Sequence, residues 1–444
     1  MTDRILPVVP KRVANVIINA LKGGVVPRVG LEYITVGRIR EIDAFLHDLD
    51  IVADGGATFR FIVGKYGSGK SFLLQTIRNH ATSKGFVVAD ADLSPERRFT
   101  GTKGQGLAVY RELLRNISVK SKPDGGALPL ILERWISGVQ TAVVQSGYHE
   151  PGSAEFLREV EKRIYAVTSE LEGMVNGFEF AKAVVAYWRA YNEDDISAKS
   201  NVLKWFRGEY SSKKESRDEL GINWVVSDDN WYDFLKVFSA FMVGAGYKGL
   251  LIMIDELVNI FKIPHCVTRQ NNYEKLLSMY NDVLQGKARN IGFFMGCTPQ
   301  CLEDRYKGIF SYEALRSRLA EGHFSSDELR DISAPIIRLQ MLGQEEMFVL
   351  AEKLRDIHAL LYDYEPVMTH EDLLSFLTVE YNRVGADSHI TPREMIRDFI
   401  ELAGILHQAP GKRVADVLGN NSFDLAKGGI SDVDIHSDFA EFEL

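Results

Sequence analysis

Continuous apolar runs of strand length recur along this chain at five places: FRFIVG at 59–64, FVVAD at 86–90, LLIMID at 250–255, IGFFMGC at 291–297 and APIIRL at 334–339. Runs without polar alternation suit strands covered on both faces, as in a parallel sheet flanked by helices. Between them the period changes to that of helices. Ile39, Ile42, Phe45, Leu46 and Leu49 share one face, and in SFLLQTIRNHA the residues Phe72, Leu73 and Ile77 point inward. Another helix is expected around Tyr110–Ile117, after the polar loop LSPERRFTGTKGQG.

From about Lys120 to Tyr247 strand patterning is nearly absent. Amphipathic segments replace it, with Phe156, Leu157, Val160, Ile164 and Val167 on one stripe, and Trp135, Trp188, Trp205, Trp224 and Trp231 are expected to pack these helices together. After Leu342 the pattern is helical again, with stripes at Met347, Leu350, Ala351, Leu354, Ile357, Leu361 and at Met395, Phe399, Leu402, Leu406. The last residues, including Asp432, Asp434, Asp438, Glu441 and Glu443, form an acidic end.

Composition narrows the class. With 45% hydrophobic and 25% charged residues, the 444-residue chain reads as globular and large enough for more than one core. A net charge of −9 means that phosphate-rich partners would need a local basic surface. Cys266, Cys297 and Cys301, near His265, repeat no paired metal-ligand spacing and read as reduced thiols. No apolar run is long enough to span a bilayer and the N-terminus has no signal-peptide core, so the expected location is cytoplasmic.

The chemistry is concentrated in two motifs. GKYGSGKS at 64–71 lies between an expected strand and an expected helix, the context that a phosphate-binding loop requires. Gly64, Lys65, Tyr66, Gly67, Ser68, Gly69, Lys70, Ser71 and Phe72 are its candidate nucleotide-binding residues. Glycines let backbone N–H groups surround phosphates at a helix N-terminus, Lys70 offsets β/γ charge, and Ser71 is a ligand for Mg2+. LLIMIDE at 250–256 delivers Asp255 to the same metal and Glu256 beside it, placed to polarise an attacking water.

Three further candidates are less self-evident. The strand ending GCTP should lie between the two motif strands and bring Thr298 near the γ-phosphate, unless its hydroxyl serves its own turn. Arg316 and Arg318 in YEALRSRLAE are either solvated cations paired with Glu313 or Glu321, or an arginine finger for a neighbouring subunit. In TPRE, Thr391 as N-cap, Pro392 at the first helical position and Glu394 make a strong helix start that leaves Arg393 in the first turn, where the helix dipole disfavours a cation unless a phosphate is bound.

Gly37, Arg38 and Glu41 in GR-x-x-E, the phosphate loop, the IDE strand, the GCT strand, the paired arginines and the PRE helix start occur in the order found in AAA+ P-loop ATPases, and the chain resembles the origin-recognition and STAND side of that group. More narrowly, GVVPRVGLEYITVGR, RFIVGKYGSGKSFLL and VADADLSPERRFTG resemble the small ATP-binding proteins of bacterial BREX-type phage-defence systems, over about residues 15–135 and 245–407. The resemblance implies an α/β P-loop fold with a five-stranded parallel sheet and a C-terminal helical lid, and from that pattern the chain departs by a large helical insertion. It implies ATP and Mg2+ as cofactors, Gly37 and Arg38 at the adenine, Thr298 as first sensor, Arg316 or Arg318 as finger, Arg393 as second sensor, and homo-oligomers with ATP at subunit interfaces.

The expected division is 1–119 and 246–342 for the ATPase core, 120–245 for the insertion, 343–410 for the lid and 411–444 for an acidic tail. Far more residues separate Lys70 from Asp255 than the roughly 30 of one βαβ unit, and the surplus is the Trp-rich insertion, either a surface for partner proteins of a defence operon or extra packing alone. Too few residues follow Leu406 for a winged helix, which argues against sequence-specific DNA reading. Arg97, Arg98, Lys103, Lys204, Arg207, Lys213 and Lys214 are either solvated charges or the residues to which non-specific DNA contact would fall. The expected activity is ATP hydrolysis coupled to assembly or remodelling of DNA or partner proteins. The alternative is a low-turnover nucleotide switch that recruits partners; a small-molecule kinase lacks an acceptor site.

Overall fold

The structure is a computed structural model that describes residues 9–147, 150–169, 177–320, 331, 333–384 and 391–420. The acidic end at 432–443 and Glu321 lie outside the described residues, as does the side chain of Val167. Among the described residues, β1 (Ala57–Gly64), β2 (Val87–Asp92), β3 (Leu250–Asp255), β4 (Ile291–Cys297) and β5 (Ile336–Leu339) form one sheet in the order β2-β3-β4-β1-β5. Every pairing is parallel. The fold is α/β of P-loop type, and β4 does lie between the two motif strands.

Alternate residues of each strand enter different cores. Phe59, Phe61, Val63, Ile252, Ile254, Phe293 and Met295 face one, while Ile62, Val88, Leu251, Met253, Phe294 and Ile337 face the other with Phe45, Leu49, Leu73 and Ile77 of the helices Ile39–Ala53 and Lys70–Ser83. Both faces being covered explains why the strands do not alternate between apolar and polar residues. The outer edge of β2 is capped by Ser118, whose N–H and C=O both pair with Val88.

Arg60 interrupts the apolar run of β1, and its partner explains it: Nε and Nη2 each lie 2.7 Å from an oxygen of buried Asp48, while Nη1 donates to Ala334 O. Burial raises the Asp48 carboxyl, and the Arg60 hydrogen bonds and charge pull it back.

The Trp-rich segment does not stand apart from the sheet. Its helices, among them Gly177–Asn192, Ile196–Phe206 and Trp231–Gly244, share the first core with β1, β3 and β4. Phe180 packs its ring on Phe206, Phe234, Phe238 and Phe241 at 5.1–5.6 Å. Tyr110 Oη, from the helix Gln105–Arg115, donates to Phe206 O at 2.5 Å. Of the tryptophans, Trp205 and Trp224 meet at 5.9 Å and Trp135 meets Phe241 at 5.2 Å.

The chain divides into two compact units, Gly37–Met341 and the described parts of Met1–Val36 with Leu342–Leu444. In the second, the helix Lys11–Lys22 contributes Ala14, Ile17, Ile18 and Leu21 to an all-helical core with Leu350, Leu354 and Ile357 of Gln344–Tyr362 and Phe399, Leu402 and Leu406 of Pro392–Gln408. No described helix is long and apolar enough to cross a membrane.

Candidate nucleotide-binding site

The loop from Lys65 to Gly69 joins the C-terminal end of β1 to the helix Lys70–Ser83. Gly67 and Gly69 have φ of 78° and 90°, a region in which a side chain is strained, so the tight curl depends on them. Gly64 serves a different need: a Cβ there would stand 2.2 Å from Ser68 Oγ. No side chain caps the helix at Gly69 and its first turn carries no carboxylate, which leaves its N–H groups and dipole directed at an anion.

Lys70 curls over the loop, with Nζ 2.9 Å from Gly64 O and 3.1 Å from Lys65 O. Burial lowers its pKa, against the opposing pull of Asp255, Cys297 and Glu256. Lys65 and Tyr66 are exposed, and Phe72 is half-buried.

Asp255 ends β3 beside this loop. Its Oδ2 accepts from Ser71 Oγ at 2.9 Å and its Oδ1 from Glu256 N at 2.8 Å. A hydroxyl and a carboxylate at that distance are hard oxygen donors of the kind Mg2+ takes, with its remaining positions left to phosphate and water, so the residues present fit the ion. Among the described residues no group of three or more His, Cys, Asp or Glu could by itself hold a metal.

Glu256 has φ of 61°, the left-handed region that non-glycine residues rarely enter. The turn is held by Asn259, whose N–H reaches Glu256 O at 3.0 Å and whose Nδ2 reaches Leu93 O at 2.8 Å, and by Leu257 N to Gly296 O at 3.2 Å. Backbone strain held in place by its surroundings beside a phosphate loop is a mark of functional sites. The Glu256 side chain is exposed. Asp92, paired in register with Asp255, adds a third carboxylate at this edge; burial raises its pKa, and Asp255, Asp90 and Glu256 raise it further.

Thr298 Oγ1 accepts from Cys301 N at 3.2 Å and so caps the short helix Pro299–Glu303, the turn-serving alternative for this hydroxyl. Arg316 grips Glu313 with Nη2 at 2.6–2.7 Å, and Arg318 Nη1 donates to Ala314 O at 2.8 Å, both within the helix Glu313–Leu319. Arg393 is exposed in the first turn of Pro392–Gln408, where Thr391 and Glu394 form the expected capping box. Arg38, placed at the adenine by the resemblance, is buried with its guanidinium on the phosphate-loop carbonyl of Ser68 at 3.0 Å. Of the basic candidates for DNA, Arg97 bonds Asp92 O at 2.9 Å and Lys204 pairs with Glu215 at 2.7 Å.

Sequence reasoning missed Asn259, Asp92 and Gly296. The glycine stands in the GCT motif in plain view, but its purpose, room for the Asp255 carboxylate, belongs to a strand some forty residues earlier.

Residues 9–422 match the family model of the BREX system ATP-binding protein BrxC/D. The chain belongs to this family. The family is one of ATP-binding proteins of the BREX system, and the matched span includes the phosphate loop and both partner strands. Among curated proteins the chain is similar to Protein BFR2 of Cryptococcus neoformans var. neoformans serotype D (strain B-3501A), 23% identical over 205 residues, covering 40% of this chain and 44% of that protein. This BrxC/D-family chain thus spans less than half the length of that relative.

Proposed function

We propose that this BrxC/D-family chain hydrolyses ATP with Mg2+ at the loop 64–71, and couples nucleotide state to assembly or to remodelling of DNA or partner proteins in phage defence. The observation that carries this reading is the 2.9 Å bond between Ser71 and Asp255, with Glu256 turned outward next to it. In this reading Lys70 and the N–H groups of the loop bind the β- and γ-phosphates, while Ser71 and Asp255 hold the metal. Mg2+, when bound, neutralises charge on the phosphate oxygens. Glu256 takes a proton from the water whose oxygen attacks the γ-phosphorus, and ADP departs with its terminal oxygen.

Thr298 would orient that water with the O–H that its cap leaves free. Arg316 or Arg318 would act on a neighbouring subunit's ATP after exchanging its partner on its own helix, and Arg393 would serve as second sensor in a lid at 343–410. The insertion at 120–245 is the proposed partner surface. The local engagement of Thr298, Arg316 and Arg318 in the single chain favours a second reading, a tight-binding, low-turnover switch that becomes active only on assembly.

Lys70→Ala is expected to lose ATP binding, and Glu256→Gln to bind ATP yet hydrolyse it at least about a hundredfold more slowly, the ordinary contribution of a general base. Equilibrium titration with a fluorescent ATP analogue and phosphate-release assays measure both. Wild-type binding by the first variant overturns the loop assignment. Wild-type turnover by the second moves the protein to the switch reading.

A further inference from the structure

The helix Ile39–Ala53 begins with an inversion. Its first residue, apolar Ile39, is 74% exposed, although its position in the stripe predicts an inward face; the charged residue before it, Arg38, is only 7% exposed. A guanidinium leaves water only where other acceptors replace it. One nitrogen, Nη2, donates to Ser68 O at 3.0 Å and to Gln340 O at 2.6 Å, and Nη1 lies 3.4 Å from Glu41 Oε1. Gly37, at φ 66°, makes the left-handed turn that brings Arg38 to this place.

Ser68 is wholly buried inside the phosphate loop, and Gln340 follows directly on β5. The guanidinium therefore ties the loop to the sheet from behind. A trans peptide carries its C=O and its N–H on opposite sides, so holding Ser68 O toward Arg38 turns the N–H of Gly69 away from it. Gly69 is the N-cap of Lys70–Ser83 and no side chain occupies that helix end.

We infer that Arg38 is a positioning residue of the nucleotide site, which sets the Ser68–Gly69 peptide so that the Gly69 N–H faces phosphate. It recognises the polyphosphate through the loop and does not touch the base. The inference rests on the nucleotide-site reading above and replaces the adenine-side role that the resemblance assigns to Arg38.

Calorimetric titration of the full chain with ATP and with inorganic tripolyphosphate, both with Mg2+, tests it. Arg38→Met should weaken both ligands by a similar factor, on the order of tenfold or more, as expected for charge-assisted hydrogen bonds. Arg38→Lys, which can serve one carbonyl, should fall between. Glu41→Gln, which leaves both carbonyl bonds in place, should bind as wild type. A loss confined to ATP, with tripolyphosphate unaffected, would assign Arg38 to the base and overturn the inference; so would wild-type affinity for both ligands in folded Arg38→Met. If Arg38→Met does not fold by thermal melting, Arg38→Lys decides by the same comparison. Lys70→Ala separates the two levels: if it binds both ligands normally, the site reading fails, and if it alone loses them, only the role of Arg38 fails.

Discussion

A methyl group on Gly296 would stand 2.2 Å from Asp255 Oδ1, so the carboxylate at the end of β3 occupies space that β4 provides by having no side chain there. Gly296→Ala should displace that carboxylate from Ser71 at an overpacking cost of about 1–3 kcal/mol, with the fold retained. ATP affinity should drop at least about tenfold in Mg2+ and change little in EDTA, since one lost ligand contact of about 1.4 kcal/mol is a factor of ten. Equal affinity to wild type in Mg2+ would remove Asp255 from the metal site.

Glu256 combines a strained backbone with the proposed base. Glycine relieves the first and removes the second, so Glu256→Gly should stabilise the protein by about 1 kcal/mol while hydrolysis is lost. Thermal melting beside a phosphate-release assay reads both effects. A destabilised variant would mean that the side chain, not the surroundings, holds the turn.

Arg316 and Arg318 bond within their own helix in the single chain. If either serves a neighbouring subunit, its alanine variant should bind ATP and fail to hydrolyse it. Mixing that variant with Lys70→Ala should restore part of the rate, because some interfaces then join an intact loop to an intact arginine. Normal hydrolysis by both arginine variants would rule out a shared site built on either arginine.

His358, in the helical unit, bonds Tyr364 Oη at 2.8 Å through Nδ1 and lies among Tyr362, His407 and Lys22. Burial, then the charges of His407 and Lys22, lower its pKa from 6.5 to about 4. The unfolded chain therefore binds the extra proton first as pH falls, and stability contributed by neutral His358 is present above about pH 6.5 and is lost as pH declines toward 4. Denaturant unfolding followed between pH 7 and pH 4 should show this slope, and His358→Gln should flatten it. An unchanged slope in the variant would assign the acid sensitivity to other groups.

The chain sequence by itself determined the strands, the phosphate loop and the Thr391 helix start, because each depends on residues within a few positions of one another. Apolar runs without polar alternation mark strands covered on both sides; a glycine pattern between strand and helix marks an anion cradle; Thr-Pro-Arg-Glu carries its own capping box. Only the tertiary structure decided which way Arg38 and Ile39 face. The periodicity of the helix placed Ile39 inward, but the acceptors that draw Arg38 below the surface are 30 and 302 positions away, on the phosphate loop and beyond β5. The same holds for the room that Gly296 leaves for Asp255, for the insertion's share in the core of the sheet, and for the packing of Lys11–Lys22 with the C-terminal helices. Local pattern reports how strongly a segment wants to be buried and in what repeat; which distant group fills the space or accepts the hydrogen bond is settled only when the strands take their order and the helices close over them.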